Sequence, residues 1–491
     1  MAKVILDVVQ GPLAGRSFAF EEHDTFIFGR HPDCHAHLSP DDTTASRHHF
    51  LLEVNPPDAR VRDLGSLNGT YVNGVKHGGR TRHESAEEAQ GRRFPEVDLK
   101  GGDRVEVGAT ALVVRVEMPA ACVSCGTAIP DAFKSLCAWV GNTHICPPCR
   151  DKAATGTPVA PPPAPKCSQC GRDASGEVGE RRGGDYICED CRRTARADPA
   201  AVLAQVLAQR AREAGGPAGE GLVGYRLGKK LGAGGMGAVY LAERIEDGRT
   251  VALKVMLARV AVSEQARQGF LREIEVLKGL RHPNIVELIE HGSAGGAFYF
   301  VMELCRGGSL QDLLQKRGRP LPTADAGPLM LETLDGLAHA HAQGYVHRDL
   351  KPANILLAEE GRGAKVSDFG FAKSFDKAGL SGMTQTGSTA GTWPFMPREQ
   401  LINFKYIKPV SDVWSVGATF YYMLTAALPR DFPAGRDPID VVLENRIVPI
   451  RSRDPGIPGS LAEVVDRSVA AKPEDRYPDA GDFRAALARA L

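Results

Sequence analysis

Eight consecutive residues, His347-Arg348-Asp349-Leu350-Lys351-Pro352-Ala353-Asn354, constrain this chain more than any other stretch. Their spacing puts an aspartate, a lysine and an asparagine on one short loop, the set needed to move a phosphoryl group from ATP to a hydroxyl. Asp349 is expected to accept or orient the hydroxyl, Lys351 to neutralise the travelling phosphate and Asn354 to hold a magnesium ion. An octet can arise by chance, so the other parts of such a machine must appear around it in order.

They do. Upstream, Gly232-Ala233-Gly234-Gly235-Met236-Gly237-Ala238-Val239 is a glycine-rich loop whose bare backbone can close over phosphates, although such a loop alone also fits a dinucleotide fold. Val251-Ala252-Leu253-Lys254 follows at the distance of the next strand but one, and Asp368-Phe369-Gly370 follows the octet with a second carboxylate for magnesium. In this order the motifs resemble the protein kinase family, over residues 225–491.

The resemblance implies an α+β two-lobed fold and a site for ATP with magnesium or manganese. Lys254 is expected to hold the α- and β-phosphates, with Glu273 of the helix Phe270-Leu271-Arg272-Glu273-Ile274 as its ion-pair partner and Glu275 solvated. Asp349, Lys351, Lys254 and Glu273 form the expected catalytic set, and Asn354 and Asp368 the magnesium ligands. ATP is expected against Leu231, Gly232, Gly234, Gly237, Val239 and Ala252. Met302 falls at the back of that pocket, and the hinge Glu303 to Cys305 offers its backbone to adenine. Lys351 two residues after Asp349 is similar to serine/threonine rather than tyrosine kinases. Among these, bacterial eukaryotic-like (Hanks-type) kinases pair such a domain with modules like those described below.

Arg348 calls for a negative partner, and a phosphorylated activation loop is the usual one. Thr384, Thr386 and Thr389 are the candidates for phosphorylation, while Thr392 matches the substrate-positioning site. One departure stands out. Where the family has Ala-Pro-Glu this chain has Pro397-Arg398-Glu399, leaving Glu399 to pair with Arg476 and putting substrate preference in question. Asp412 is expected to anchor the catalytic loop from a buried helix.

Residues 1–118 read differently, as short β-rich runs (Val4 to Val9, Thr25 to Phe28, His49 to Val54, Arg104 to Val107, Ala111 to Val116) separated by turn residues, the pattern of an antiparallel sandwich. Gly29-Arg30, Ser46-Arg47-His48-His49 and Asn68-Gly69-Thr70 lie between them in that order and resemble the forkhead-associated (FHA) domain, a phosphothreonine reader. Arginines, a hydroxyl and an amide on neighbouring loops can hold a doubly charged phosphate by charge-assisted hydrogen bonds. Arg30, Ser46 and Arg47 are expected to take the phosphate, Asn68 the peptide backbone, and His49 to buttress the loop. Asn73-Gly74 on its own is hairpin chemistry, and residues 77–98 read as an insertion.

Most of the eleven cysteines fall between these regions. Cys122 and Cys125 are followed after twenty residues by Cys146 and Cys149; Cys167 and Cys170 are followed after seventeen by Cys188 and Cys191. Each set fits a tetrahedral thiolate zinc site, so two zinc-ribbon-like modules are expected, over 119–152 and 167–194, each with one structural Zn2+. Cys34, Cys137 and Cys305 read as packed side chains. The proline-rich stretch 153–166 joins the modules, and 195–224 reads as a short amphipathic helix and a glycine-rich linker.

Sixty basic and sixty acidic residues cancel, which argues against nucleic acid as the main partner, with the zinc modules left open. The start of the chain reads as too short for a signal peptide, and the chargeless stretch Val413 to Leu428 is shorter than the about 20 apolar residues a membrane span needs. A cytoplasmic enzyme without membrane contact is the expectation, acting on protein substrates and binding phosphothreonine proteins, its own activation loop among them. The alternative is a phosphoprotein-binding scaffold that uses the kinase fold only for docking.

Overall fold

A computed structural model describes residues 2–79 except 22–23, 94–118, 224–369 except 235–236, 258–261 and 295–296, and 393–491 except 403–406 and 434–435; between 119 and 223 it describes 120, 122, 129, 137–140, 143–154, 172 and 184–185. Several expectations fall outside these residues: the phosphorylation candidates Thr384, Thr386 and Thr389, Thr392, Cys125, the whole second cysteine set, and the helix expected after Pro199.

The N-terminal strands form two sheets. In chain order they are β1 (Lys3–Gln10), β2 (Ser17–Phe20), β3 (Asp24–Gly29), β4 (Ala36–His37), β5 (Phe50–Asn55), β6 (Asp58–Asp63), β7 (Thr70–Val72), β8 (Val75–Lys76), β9 (Val97–Leu99), β10 (Arg104–Val107) and β11 (Thr110–Glu117). One sheet runs β2-β1-β11-β10-β7-β8 and the other β4-β3-β5-β6-β9. Alternate residues point inward, so Val4, Leu6 and Val8 of β1 meet Phe28, Phe50, Leu52 and Val61 in one apolar core. Phe28 and Phe50 stack there with ring centroids 4.5 Å apart. Asn73 and Gly74 take positive φ of 51° and 79° between the paired Val72 and Val75, the conformation a tight hairpin turn demands.

After the sandwich come β12 (Ala138–Val140) and β13 (Thr143–Ile145), an antiparallel pair, and then the helix α1 (Pro147–Ala154). The larger C-terminal unit begins with a five-stranded antiparallel sheet: β14 (Tyr225–Gly234), β15 (Gly237–Arg244), β16 (Thr250–Leu257), β17 (Leu288–Ala294) and β18 (Ala297–Met302), ordered β14-β15-β16-β18-β17. Gly237 is needed at the start of β15, because a Cβ there would lie 1.8 Å from the Val255 carbonyl oxygen. Helix α2 (Glu264–Leu277) packs on this sheet through Phe270 and Ile274, with Phe270 edge-on to Phe298 at 4.9 Å.

A mostly helical lobe follows: α3 (Leu310–Arg317), α4 (Thr323–Ala342), the hairpin β19 (Ile355–Glu359) and β20 (Arg362–Val366), α5 (Arg398–Ile402), α6 (Pro409–Thr425), α7 (Pro438–Glu444), α8 (Gly459–Ser468) and α9 (Ala480–Ala490). Ser309 and Asp312 close a reciprocal capping box on α3. Helix α6 contains most of the chargeless stretch and is buried on all sides, with Val413, Phe420 and Tyr421 in the main core and Trp414 donating its Nε1–H to the Val469 carbonyl at 3.0 Å. No helix among the described residues is long and apolar enough to cross a membrane.

Candidate active site

The octet lies between α4 and β19, and α6 organises it from below. The carboxylate of Asp412 accepts the backbone N–H groups of His347 at 2.7 Å and Arg348 at 2.9 Å, and bonds to His341 Nε2 at 2.9 Å. That clamp supports the left-handed backbone of Arg348, φ 70°, which turns Asp349 toward the cleft. His347, fully buried, reaches the Ser367 carbonyl at 2.7 Å and so ties the loop to the residue before Asp368.

Three expected residues converge on this loop. Lys351 Nζ donates to both carboxylate oxygens of Asp349, at 3.1 and 2.9 Å, and Asn354 Nδ2 donates to the Asp349 carbonyl at 2.7 Å and to its carboxylate at 3.1 Å. From the strand side, Lys254 Nζ lies 2.8 Å from Asp368 Oδ2. Glu273 is on α2, but its side chain is outside the described residues, so Asp368 is the described partner of Lys254. Glu275, expected in solvent, is exposed and still bonds His291 Nε2 at 2.7 Å.

Two buried atoms here have no hydrogen-bond partner among the described residues: Asp368 Oδ1 and Arg348 Nε. An orphan carboxylate oxygen beside an asparagine suits a hard divalent cation, which takes oxygen ligands. An orphan guanidinium N–H suits an anion arriving from elsewhere.

On the nucleotide side, Gly232 and Leu231 are exposed on β14, Gly234 ends that strand opposite Gly237, and Val239 pairs with Lys254 across β15 and β16. Ala252 pairs with Met302, and Met302, Leu277, Leu288 and Phe369 line a small cavity behind the site. The Glu303 N–H donates to the Glu287 carbonyl at 3.0 Å, while its carboxylate pairs with Lys365 at 2.9 Å. Burial pushes the Cys305 thiol up to about 11, so it stays protonated at neutral pH.

The second group of expected residues lies at one end of the sandwich. Arg30 N–H donates to the Ser46 carbonyl at 3.2 Å, and Ser46 Oγ accepts the Leu67 N–H at 2.8 Å, which joins the three loops. Asn68 Nδ2 donates to the Thr44 carbonyl at 2.8 Å. His49 is fully buried: its Nδ1 accepts the Ser46 N–H at 3.0 Å and its Nε2 meets the Gly69 carbonyl at 3.1 Å. Burial lowers its pKa, so the neutral ring holds both loops. Arg47 and Asn68 are exposed; Arg30 and Ser46 are half-buried.

In the first cysteine module the sulfurs of Cys122, Cys146 and Cys149 lie within 4.8 Å of one another. The Cys146 N–H donates to Cys122 Sγ at 3.3 Å, and Cys149 enters α1 through an N–H bond to the Cys146 carbonyl at 3.0 Å. Cys137 is buried in the same small cluster with Ile129.

Residues 225–476, more than half of the chain, match the profile described as protein kinase domain. The chain belongs to the protein kinase family. Residues 26–108 of the chain match the FHA domain. It is 35% identical over 281 residues to the serine/threonine-protein kinase PknJ of Mycobacterium tuberculosis, covering 56% of this chain and 46% of that protein. Over 275 residues it is 32% identical to the serine/threonine-protein kinase pkn2 of Myxococcus xanthus, covering 53% of this chain and 32% of that protein. The chain thus spans less than half the length of the curated relatives it matches. A crystal structure of the Mycobacterium tuberculosis PknI kinase domain aligns with a TM-score of 0.43 at 24% identity, covering 55% of this chain and 98% of that one.

In the helical lobe, Glu399 lies against Arg476, whose guanidinium is buried and reaches both carboxylate oxygens. Gln400 Nε2 donates to the Arg348 carbonyl at 2.6 Å, tying α5 to the catalytic loop. Arg398, which replaces the family's proline, donates its Nε–H to the Leu443 carbonyl of α7 at 2.7 Å and its Nη2 to Asp33 of the FHA domain. Asp33, Arg62, Arg398 and Asp437 were not legible as a set in the sequence. Arg398 as a departure from the family pattern was their one local signal.

Proposed function

We propose that this chain is a serine/threonine protein kinase that transfers the γ-phosphoryl group of ATP to protein hydroxyls, targeted or regulated by its FHA domain. The observation that carries the reading is the convergence of Lys351 and Asn354 on Asp349, together with the buried orphan oxygen of Asp368. Asp349 orients the acceptor hydroxyl and takes its proton as the new bond forms. Lys351, held on Asp349 in the resting site, moves its ammonium onto the transferring phosphate oxygens. Lys254 fixes the α- and β-phosphates, and in doing so exchanges Asp368 for them, with Glu273 as the residue that orients it. Asn354 and Asp368 hold magnesium, which neutralises charge on the β- and γ-phosphates when bound.

Arg348 gives the switch. A phosphate on Thr384 or Thr386 supplies the anion that its buried Nε lacks, ordering the activation loop against the catalytic loop. The purified protein incubated with Mg-ATP is expected to gain phosphate that peptide mapping assigns to this segment, and the double variant Thr384→Ala, Thr386→Ala to lose activity toward added substrate. Equal activity in that variant rules the switch out.

In the FHA domain, Arg30, Ser46 and Arg47 take phosphothreonine and Asn68 takes the peptide backbone, in proteins or in the kinase's own phosphorylated loop. The cysteine sets hold two structural zinc ions and serve protein contacts. Relatives named serine/threonine-protein kinase, and the presence together of Lys254, Asp349, Asn354 and Asp368, support an enzyme rather than a scaffold, one that acts in the cytoplasm.

A further inference from the structure

In a two-sheet sandwich the outer faces ordinarily meet water. Here one outer face does not. Ile27, Leu51 and Arg62 stand in register across β3, β5 and β6, pointing away from the sandwich core, yet they are only 0%, 2% and 3% exposed. The surface covering them is the kinase C lobe. Ile27, Cys34, Leu51 and Leu64 form one apolar cluster with Ile439, Val442 and Leu443 of α7 and Leu401 of α5.

Two charge pairs pin the contact. Arg62 Nη1 donates to Asp437, 5% exposed and also the N-cap of α7, whose other oxygen accepts the Ile439 N–H at 2.9 Å. Arg398 donates to Asp33, whose other oxygen bonds His48 at 3.0 Å. Breaking the buried Arg62–Asp437 pair leaves an uncompensated charge, so that pair favours one docking geometry, with the part-buried Asp33–Arg398 pair adding a second fixed point.

Asp33 and His48 belong to the same loops as Arg30, Ser46 and Arg47, while Arg398 and Gln400 lie on the helix bonded to Arg348 beside Asp349. The path from the phosphate loop to the catalytic loop therefore runs through one short helix, from Arg398 at its start to Gln400 two residues on, about 3 Å along its axis. With the reach of the side chains at each contact and the three residues from Arg30 to Asp33, the two sites lie within roughly 30 Å of each other, about nine residues of extended chain. Arg47 and Asn68 stay exposed beside the contact, leaving the phosphate loops open.

We propose that the FHA domain and the C lobe form one composite substrate platform, so that the preferred acceptors are proteins already carrying phosphothreonine at a fixed distance from the acceptor hydroxyl. This rests on the kinase and phosphothreonine readings above. A ligand held at one site raises the effective concentration of its other end at the second, most strongly when the spacer matches the span. Docking turns that match into a ruler; an FHA domain swinging on the long 119–224 segment gives no sharp optimum.

The test uses the full chain and peptides carrying an acceptor threonine and a phosphothreonine separated by semi-rigid proline-rich spacers of about 3, 10 and 25 residues, which extend about 3.1 Å per residue, each beside an unphosphorylated twin. The expected result is a KM lowered at least about tenfold by phosphothreonine at the middle spacing, with little gain at the shortest and less at the longest. Arg62→Ala, and separately Asp437→Ser, which keeps a helix cap while removing the charge, are expected to flatten that spacing dependence. A gain independent of spacing, or an optimum unchanged in both variants, overturns the platform. No transfer to any twin overturns the kinase reading beneath it, and no anisotropy change with the phosphopeptide overturns the phosphothreonine reading; these two readouts separate either failure from that of the platform itself.

Discussion

Single residues decide how the C lobe meets its neighbour. Asp440 on α7 is buried with one carboxylate oxygen lacking a partner among the described residues, and its pKa is pushed up to about 8 by burial and then by Asp437, against the opposing pull of Arg62 and Arg436. Glu444 adds to the upward push. A folded-state pKa raised above the unfolded value near 3.8 means the native state binds the extra proton. The stabilising contribution of the neutral acid is therefore full below pH 4 and is lost as the pH climbs through about 8. Asp440→Asn removes this dependence. Thermal unfolding from pH 5 to 9 is expected to show wild type falling behind the variant up to about pH 8 and the gap levelling beyond it. A constant gap contradicts the burial account.

Much at this scale was legible beforehand, because phosphoryl transfer needs particular side chains at particular spacings. Asp349, Lys351 and Asn354 are five residues apart at most, and a loop that short can hardly avoid bringing them together. Arg398 is the opposite case. Its replacement of a family proline was visible, but its partner Asp33 is 365 residues away, and nothing local signals a contact at that separation.

At the scale of elements, the β-rich runs located the sandwich strands, while the two-sided burial of one of them went unread. Phe50–Asn55 is buried at every position rather than alternately, and Leu51 on its outer face is covered by α5 and α7. A continuous apolar run is the signature of a strand buried on both faces, and Phe50-Leu51-Leu52 carries it. Helix α6 was legible as a core helix from its length and lack of charge. The first cysteine module offers a sharper test of element-level reading. With Cys122, Cys146 and Cys149 as ligands of one zinc ion, Cys146→Ser is expected to lower bound zinc from two to one per chain by elemental analysis. Unchanged metal content rules out Cys146 as a ligand. Because the module must fold on its metal, chelation is expected to expose its thiols to a thiol reagent well before the kinase domain unfolds.

For the whole molecule, the domains are connected by more than the chain. The Glu399–Arg476 pair closes the C lobe from within, and the adjacent Arg398 faces outward to the FHA domain, so one five-residue helix serves both contacts and also bonds the catalytic loop. Docking through Arg62 and Asp437 fixes the proposed phosphothreonine-reading loops relative to the proposed phosphoryl-transfer site, an arrangement a loose string of domains lacks. Losing it is expected to leave each domain folded. Limited proteolysis of Arg62→Ala should therefore release an intact kinase fragment faster than from wild type, whereas equal cleavage rates argue that the interface contributes little to holding the domains together.

Whether the assembled cleft performs chemistry is the central question, and transfer of labelled γ-phosphate from Mg-ATP to an added protein acceptor answers it most directly, measured for wild type beside Asp349→Asn. Asparagine keeps the size of the side chain and removes the base, so the rate is expected to fall by about 10² to 10⁴ while ATP binding persists. Equal labelling by both proteins, or none by wild type despite bound ATP and a phosphorylated activation loop, would contradict the account.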